Sequence, residues 1–157
     1  MVLMRNSFIL ILFIGLCSCY KNDIYDRIDS IPSHGWTYGD TMSYAIVIKD
    51  TNAHYQVYIN VRHKAAYPYS NLWVKLITKS PLGHLQSKDL SLPLAAESGE
   101  WYGTSISDII SHKILIQNNA IFQHIGTYEF RILQNSRDSL LIDILDIGIR
   151  LEKVKQQ

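Results

Sequence analysis

Beyond residue 40 the chain is dominated by alternation of apolar and polar positions. Between His54 and Arg62, Tyr55, Val57, Ile59 and Val61 fall on one side, and His54, Gln56, Tyr58, Asn60 and Arg62 on the other. A period of two marks a strand with one face buried and one in water. The same signal recurs at Met42 to Lys49, at Asn71 to Lys79 with Leu72, Val74 and Leu76 in phase, and at Leu90 to Leu94. It continues at Lys113 to Gln117, at Gly126 to Leu133 with Tyr128, Phe130 and Ile132 in phase, and at Ser139 to Lys153. Asp50-Thr51-Asn52 joins the first two runs, which are expected to pair as an antiparallel hairpin.

The connectors carry breakers: Pro68, Pro81-Leu82-Gly83, Pro93, Ser98-Gly99 and Asn118-Asn119. Ser105 to Ile110 reads as a single helical turn, and no longer helical pattern emerges. Short strands joined by breaker-rich links predict an all-β fold, a single antiparallel β-sandwich, immunoglobulin-like or related, over residues 35–157. In the last run Ile142 and Ile144 keep one phase while Ile147, Ile149 and Leu151 keep the other. A β-bulge near Leu145-Asp146, or a strand passing between sheets, would absorb that slip, with Gly148 part of the bend.

The amino-terminal pattern is different. One cation, Arg5, precedes an almost wholly apolar stretch from Ser7 to Cys17, followed by Ser18 and Cys19. That is a charged region and a hydrophobic region of a secretory leader. The apolar run is about ten residues, well short of the ~20 that span a bilayer. Leu16-Cys17-Ser18-Cys19 has the form of a lipobox, and Cys19 is the better cleavage position because small Ser18 precedes it, whereas Leu16 precedes Cys17. Such processing joins diacylglycerol to the cysteine sulfur and usually acylates the new amino terminus, attaching the protein firmly to a membrane. The competing readings are a plain secretory signal with two incidental cysteines and an uncleaved anchor; the short apolar run disfavours the anchor, and Ser18 favours cleavage. Residues 1–18 are then the cleaved signal peptide and 19–34 a lipidated tether, polar apart from Tyr20, Ile24, Tyr25, Ile28 and Ile31. One helical turn over Ile24 to Ile28, docked on the body, is the alternative for that stretch.

Composition narrows the chemistry. Cleavage before Cys19 takes 18 of the 157 residues and leaves 139, enough for one domain with its own core. It also removes one of the 15 basic residues, leaving 14 against 14 acidic, so the overall charge argues neither for nucleic acid nor for anionic lipid headgroups. With Cys17 lost and the Cys19 sulfur acylated, the mature chain offers no disulfide, thiolate nucleophile or cysteine metal site.

No catalytic constellation emerges. His34, His54, His63, His84, His112 and His124 lack metal-ligand spacing and read as surface residues. Gly103-Thr104-Ser105-Ile106-Ser107 lacks the closing glycine of a nucleophile elbow and reads as a loop. Asp143 and Asp146 point to opposite faces of a regular strand, and Asp146 and Arg150 stand ~13 Å apart along one, so the partners of each are expected on neighbouring strands. No cofactor, metal or catalytic residue is expected. The densest unusual segment runs from Arg62 through Tyr67-Pro68-Tyr69 to Trp73. It suits either an aromatic binding loop beside a cation or a turn whose rings cap the sandwich, and the second reading is preferred.

These residues resemble a family, the gliding-motility lipoproteins called GldH, from gliding and related Bacteroidota. The resemblance extends from Cys19 to about Lys153. Its carriers are Tyr25-Asp26, Trp36 with Asp40, and Arg62 with Tyr67-Pro68-Tyr69-Ser70-Asn71-Leu72-Trp73. Further on come Leu92-Pro93-Leu94, Gly99-x-Trp101-x-Gly103, Asp108-Ile109 and Gly126-Thr127-Tyr128-x-Phe130. Gln134 with Arg137-Asp138 and Ile147-Gly148-Ile149-Arg150-Leu151-Glu152-Lys153 complete the set. His63 and Ser136 depart from it, where Asn and Met would be more usual. The resemblance implies a cell-envelope lipoprotein needed for gliding and associated with the machinery that powers surface adhesins and secretion; it supplies no catalytic residues. Members also occur in non-gliding Bacteroidota, so it does not imply that the host cell glides.

The expectation is therefore a non-enzymatic envelope component, held by its lipid on the outer membrane and facing the periplasm, with motility or secretion proteins as partners. Tyr20, where an aspartate would signal retention, points to the outer membrane by resemblance to other diderm lipoproteins, and Tyr20-Lys21-Asn22-Asp23 lacks a dense acidic cluster for surface export. Arg62, Tyr67, Tyr69, Trp73, Trp101 and Arg150 are the candidate interaction surface. The alternative is a periplasmic sandwich that stacks glycan or peptide on its aromatic residues, which requires at least two exposed rings at one groove.

Overall fold

Alternation becomes pairing in the computed structural model, which describes residues 23–154. The strands are β1 (Asp23–Ser30), β2 (Trp36–Thr37), β3 (Thr41–Ile48), β4 (Tyr55–Lys64), β5 (Asn71–Lys79) and β6 (Leu85–Pro93). They continue with β7 (Thr104–Ile106), β8 (Ile109–Ala120), β9 (Gly126–Gln134), β10 (Leu140–Leu141) and β11 (Ile144–Lys153). The first sheet has the order β1-β11-β4-β8-β7 and the second β3-β9-β5-β6, with the short pair β10-β2 beside them. All pairings are antiparallel. The expected sandwich is thus present. Cys19, the signal peptide and the first residues of the tether lie outside the described residues.

The inward sets of the two sheets make one core. Tyr55, Val57, Ile59 and Val61 of β4, with Ile147, Ile149 and Leu151 of β11, face Tyr44, Ile46 and Ile48 of β3, Leu72 and Val74 of β5, and Phe130 and Ile132 of β9. Burial of this apolar surface is the main stabilising term, since the described residues contain no cysteine. Tyr44 also ties the sheets with a polar contact: its hydroxyl donates to the Ile147 carbonyl at 2.7 Å. A buried hydroxyl without such a partner would be costly.

Four expectations are corrected. β3 and β4 do not form a hairpin: β3 pairs with β9 and β4 with β11 and β8, so residues 49–54 carry the chain from one sheet to the other. Alternation shows which side of a strand is buried and is silent on its neighbour, and a link this long suits crossing between layers ~10 Å apart. The expected tether over 19–34 does not hold from residue 23 onward, because 23–30 form β1, paired with β11 from Asp23↔Glu152 to Ser30↔Asp146. Tyr25 packs on the core while Ile24 and Ile28 stay exposed, which blurred the period. The helical turn at Ser105 to Ile110 is the β7–β8 hairpin, with Ser107 at φ 56° in its turn. The bulge falls where expected, between Ile144 and Asp146, yet Gly148 is not part of a bend. A Cβ on Gly148 would lie 2.3 Å from the Arg27 carbonyl oxygen and 2.4 Å from Ile28 Cγ1, so glycine is there to let β1 approach.

The strands run between two poles. At one, β1 begins, β11 ends, and the links 49–54 and 121–125 join the sheets beside the β5–β6 turn at 80–84. At the other lie 31–40, 65–70, 94–103 and 135–143.

Gly148→Ala is expected to destabilise the fold by about 1–3 kcal/mol through overpacking against β1. Urea unfolding combined with amide hydrogen exchange checks this: protection of residues 24–30 should fall first, and an unchanged midpoint would show that the close approach costs nothing.

Candidate functional site

Pleating sends every second residue of the first sheet outward, and these residues form one polar array. Arg62 and Asn60 of β4, Arg150, Asp146 and Glu152 of β11, Asp26 and Ser30 of β1, and Lys113 of β8 belong to it. Asp146 accepts from Ser30 Oγ at 2.7 Å and pairs with Arg62 Nη1 at 3.0 Å. Asp26 accepts from Asn60 Nδ2 at 3.1 Å and Arg150 Nη1 at 3.0 Å. Glu152 accepts from Arg150 Nε and Lys113 Nζ, both at 2.6 Å, and the Lys113 ammonium stands 4.1 Å from the centre of the Tyr58 ring. Burial raises the Glu152 carboxyl, but the bonds from Lys113 and Arg150 outweigh it and hold the group below its ordinary pKa. As expected, Asp146 and Arg150 find their partners on neighbouring strands. Arg62 and Arg150 line one groove of about 490 Å³ together with Asp26, Asn60, Lys113 and Tyr102.

The aromatic residues lie elsewhere. Tyr67 is buried, its hydroxyl donating to the Asn71 carbonyl at 3.2 Å, and burial pushes its phenol up. Trp101 is half-buried, its ring centre 4.6 Å from that of His63. Tyr69 and Trp73 are 42% and 46% exposed. These two wall a second groove of about 620 Å³ with Asn71, Asn135, Arg137 and Asp138. The Tyr69 hydroxyl donates to Asp138, and that bond raises the phenol pKa. The six residues read from sequence as one surface therefore divide: two arginines on the outer face of the first sheet, Tyr69 and Trp73 at the second groove with buried Tyr67 behind them, and Trp101 packed against His63.

Sequence reasoning missed a buried histidine pair. His63 and His112 are 0% and 6% exposed, stacked with ring centres 5.0 Å apart, and their Nε2 atoms are separated by 2.9 Å. His63 follows Tyr55, Val57, Ile59 and Val61 in phase, and His112 falls between Ile110 and Ile114, so continuing the alternation would have found both. The Lys64 carbonyl only accepts, so His63 Nδ1 donates to it at 2.8 Å and its neutral Nε2 accepts from His112 Nε2–H. Burial lowers the pKa of His63 and, with the His63 charge adding to it, takes His112 down to about 4. Among the described residues no three His, Cys, Asp or Glu side chains gather where they could hold a metal. Ser105, on exposed β7, donates from its hydroxyl to the Ser107 carbonyl at 3.4 Å.

A model of the GldH lipoprotein family matches residues 23–151. The chain belongs to that family. It is 30% identical to a "Gliding motility lipoprotein GldH homolog" of Christiangramia forsetii, over 96% of this chain and 98% of the relative. It is 28% identical to the "Gliding motility lipoprotein GldH" of Flavobacterium johnsoniae, over 95% and 97%. Among solved structures, the VP2 subviral particle of infectious bursal disease virus aligns at 12% identity with a TM-score of 0.39, covering 84% of this chain and 33% of that one. The GldH family segment begins at the first residue of β1, which includes the edge strand in the domain.

The histidine pair gives this GldH-family chain a predictable acid response. A folded pKa of about 4 for His112 lies below its unfolded value near 6.5, so between these the unfolded chain binds a proton that the folded chain refuses. Stability is full above about pH 6.5 and falls as pH drops towards 4, by on the order of 3 kcal/mol from this group. His112→Gln should be less stable at neutral pH and show a flatter decline over that window. Equal slopes for both proteins in urea titrations at several pH values would remove the pair from the account.

Proposed function

We propose that this chain serves gliding motility, or the secretion machinery linked to it, as a non-enzymatic docking protein held on the outer membrane by a lipid on Cys19 and facing the periplasm. The names of both relatives support motility, and the lipobox and Tyr20 support the anchor and its membrane. The single observation that carries the docking role is the outward array of the first sheet. Its charges are fixed by bonds of 2.6–3.1 Å before any partner arrives. Preorganised charges of this kind give register and selectivity to a protein contact.

A second reading rests on Tyr69 and Trp73, two exposed rings at one groove beside Arg137 and Asp138. That arrangement suits stacking of a sugar or a peptide side chain.

Pull-down from envelope fractions with the tagged protein separates the two readings. Arg62→Glu combined with Arg150→Glu is expected to abolish recovery of motility or secretion proteins, while Tyr69→Ala combined with Trp73→Ala leaves it intact. The reverse pattern favours the groove, and recovery of no envelope protein by the parent chain removes the docking role. Circular dichroism and urea unfolding must show that the arginine variant is still folded, because Arg62→Glu sets a like charge beside the buried Asp146. Proteolysis of intact cells tests the facing: degradation would place the domain outside.

A further inference from the structure

We infer that the pole where β1 begins is itself a lipid-binding surface that rests on the membrane leaflet, a reading that depends on the Cys19 anchor. Three residues lie between Cys19 and Asp23, four steps along the chain with a reach of at most about 14 Å when fully extended. β1 starts at that pole, so an acylated Cys19 keeps it against the leaflet.

What the pole presents fits that neighbour. Leu82 and Leu85 in and after the β5–β6 turn, and Ile121 and Ile125 in the β8–β9 link, are 59–66% exposed. The two segments touch: a Cβ on Gly126 would lie 3.0 Å from Pro81. Four aliphatic side chains thus stand on two adjoining segments; the opposite pole also exposes Ile106, Leu140 and Ile142, so it is the position of the anchor beside them that selects this pole for the leaflet. Lys49 and Lys79, both exposed, follow or close β3 and β5 at the same pole, and the nearby Asp50 is engaged by Lys153 at 2.7 Å. Aliphatic tips flanked by Lys49 and Lys79 match an acyl boundary beneath phosphate headgroups. So short a reach keeps the pole near the leaflet, and these side chains make contact favourable.

The lipidated full-length mature protein, reconstituted in vesicles of phosphatidylethanolamine and phosphatidylglycerol, tests this with single-cysteine variants carrying an environment-sensitive fluorophore. Acylation of Cys19 leaves no other thiol to label. Probes at Leu82→Cys and Ile125→Cys should lose emission about two-fold when doxyl lipids are included, while a probe at Ile106→Cys, at the opposite pole, should be unaffected. Acylated protein whose pole probes are unquenched, or quenched no more than the probe at residue 106, overturns the lipid-binding surface alone. Intact mass showing an unacylated Cys19 overturns the anchor and this inference with it.

Discussion

Every other part of the molecule depends on the two-sided pairing of β11. It lies between β1 and β4, its Ile147, Ile149 and Leu151 enter the core, and the Ile147 carbonyl receives the Tyr44 hydroxyl from the opposite sheet. Its other face supplies Asp146, Arg150 and Glu152 to the outer array. The bulge between Ile144 and Asp146 makes both assignments possible, because without it one set would exchange faces with the other. Gly148 completes the arrangement by admitting β1 at a distance no side chain would permit.

The outer array adds little to stability as a set of pairs, since Arg62 remains 42% exposed and Arg150 25% exposed in their side chains. Its value is geometric. Asp146 is buried at 7% and would be left poorly compensated without Arg62 and Ser30, so that part of the array is held in one arrangement. A partner meeting this face must match fixed charges of both signs, which favours selectivity over raw affinity.

How much of this was legible in the sequence follows from what alternation encodes. β5 has the boundaries that alternation predicts, and the slip in β11 was visible as a change of phase, because both are properties of one strand read alone. Partner choice is not: β3 and β4 are neighbours in sequence but belong to different layers. β1 was hidden because an edge strand with charged positions and exposed Ile24 and Ile28 has the composition of a linker. The histidine pair was hidden by residue type, although His63 kept the phase of β4. The candidate surface fared similarly: its residues were individually legible, but whether Tyr67 packs inward while Tyr69 faces solvent depends on Asn71, Asp138 and the fold between them.

The two poles give the two grooves different relations to a membrane. β4 has 10 residues, which at 3.3 Å each makes the sandwich about 33 Å from pole to pole. With a lipid on Cys19 and at most four residues before β1, the slack in the attachment is less than half that length. Under the proposed anchor the Tyr69–Trp73 groove would be held roughly 30 Å from the leaflet, with the array around Arg62 and Arg150 on a wall between. A long linker would let either surface sweep a wide volume and find a partner at any height. A short one fixes the height and leaves rotation about the anchor as the main freedom, so a partner itself held at a set distance from the membrane meets the charged wall with little orientation left to lose.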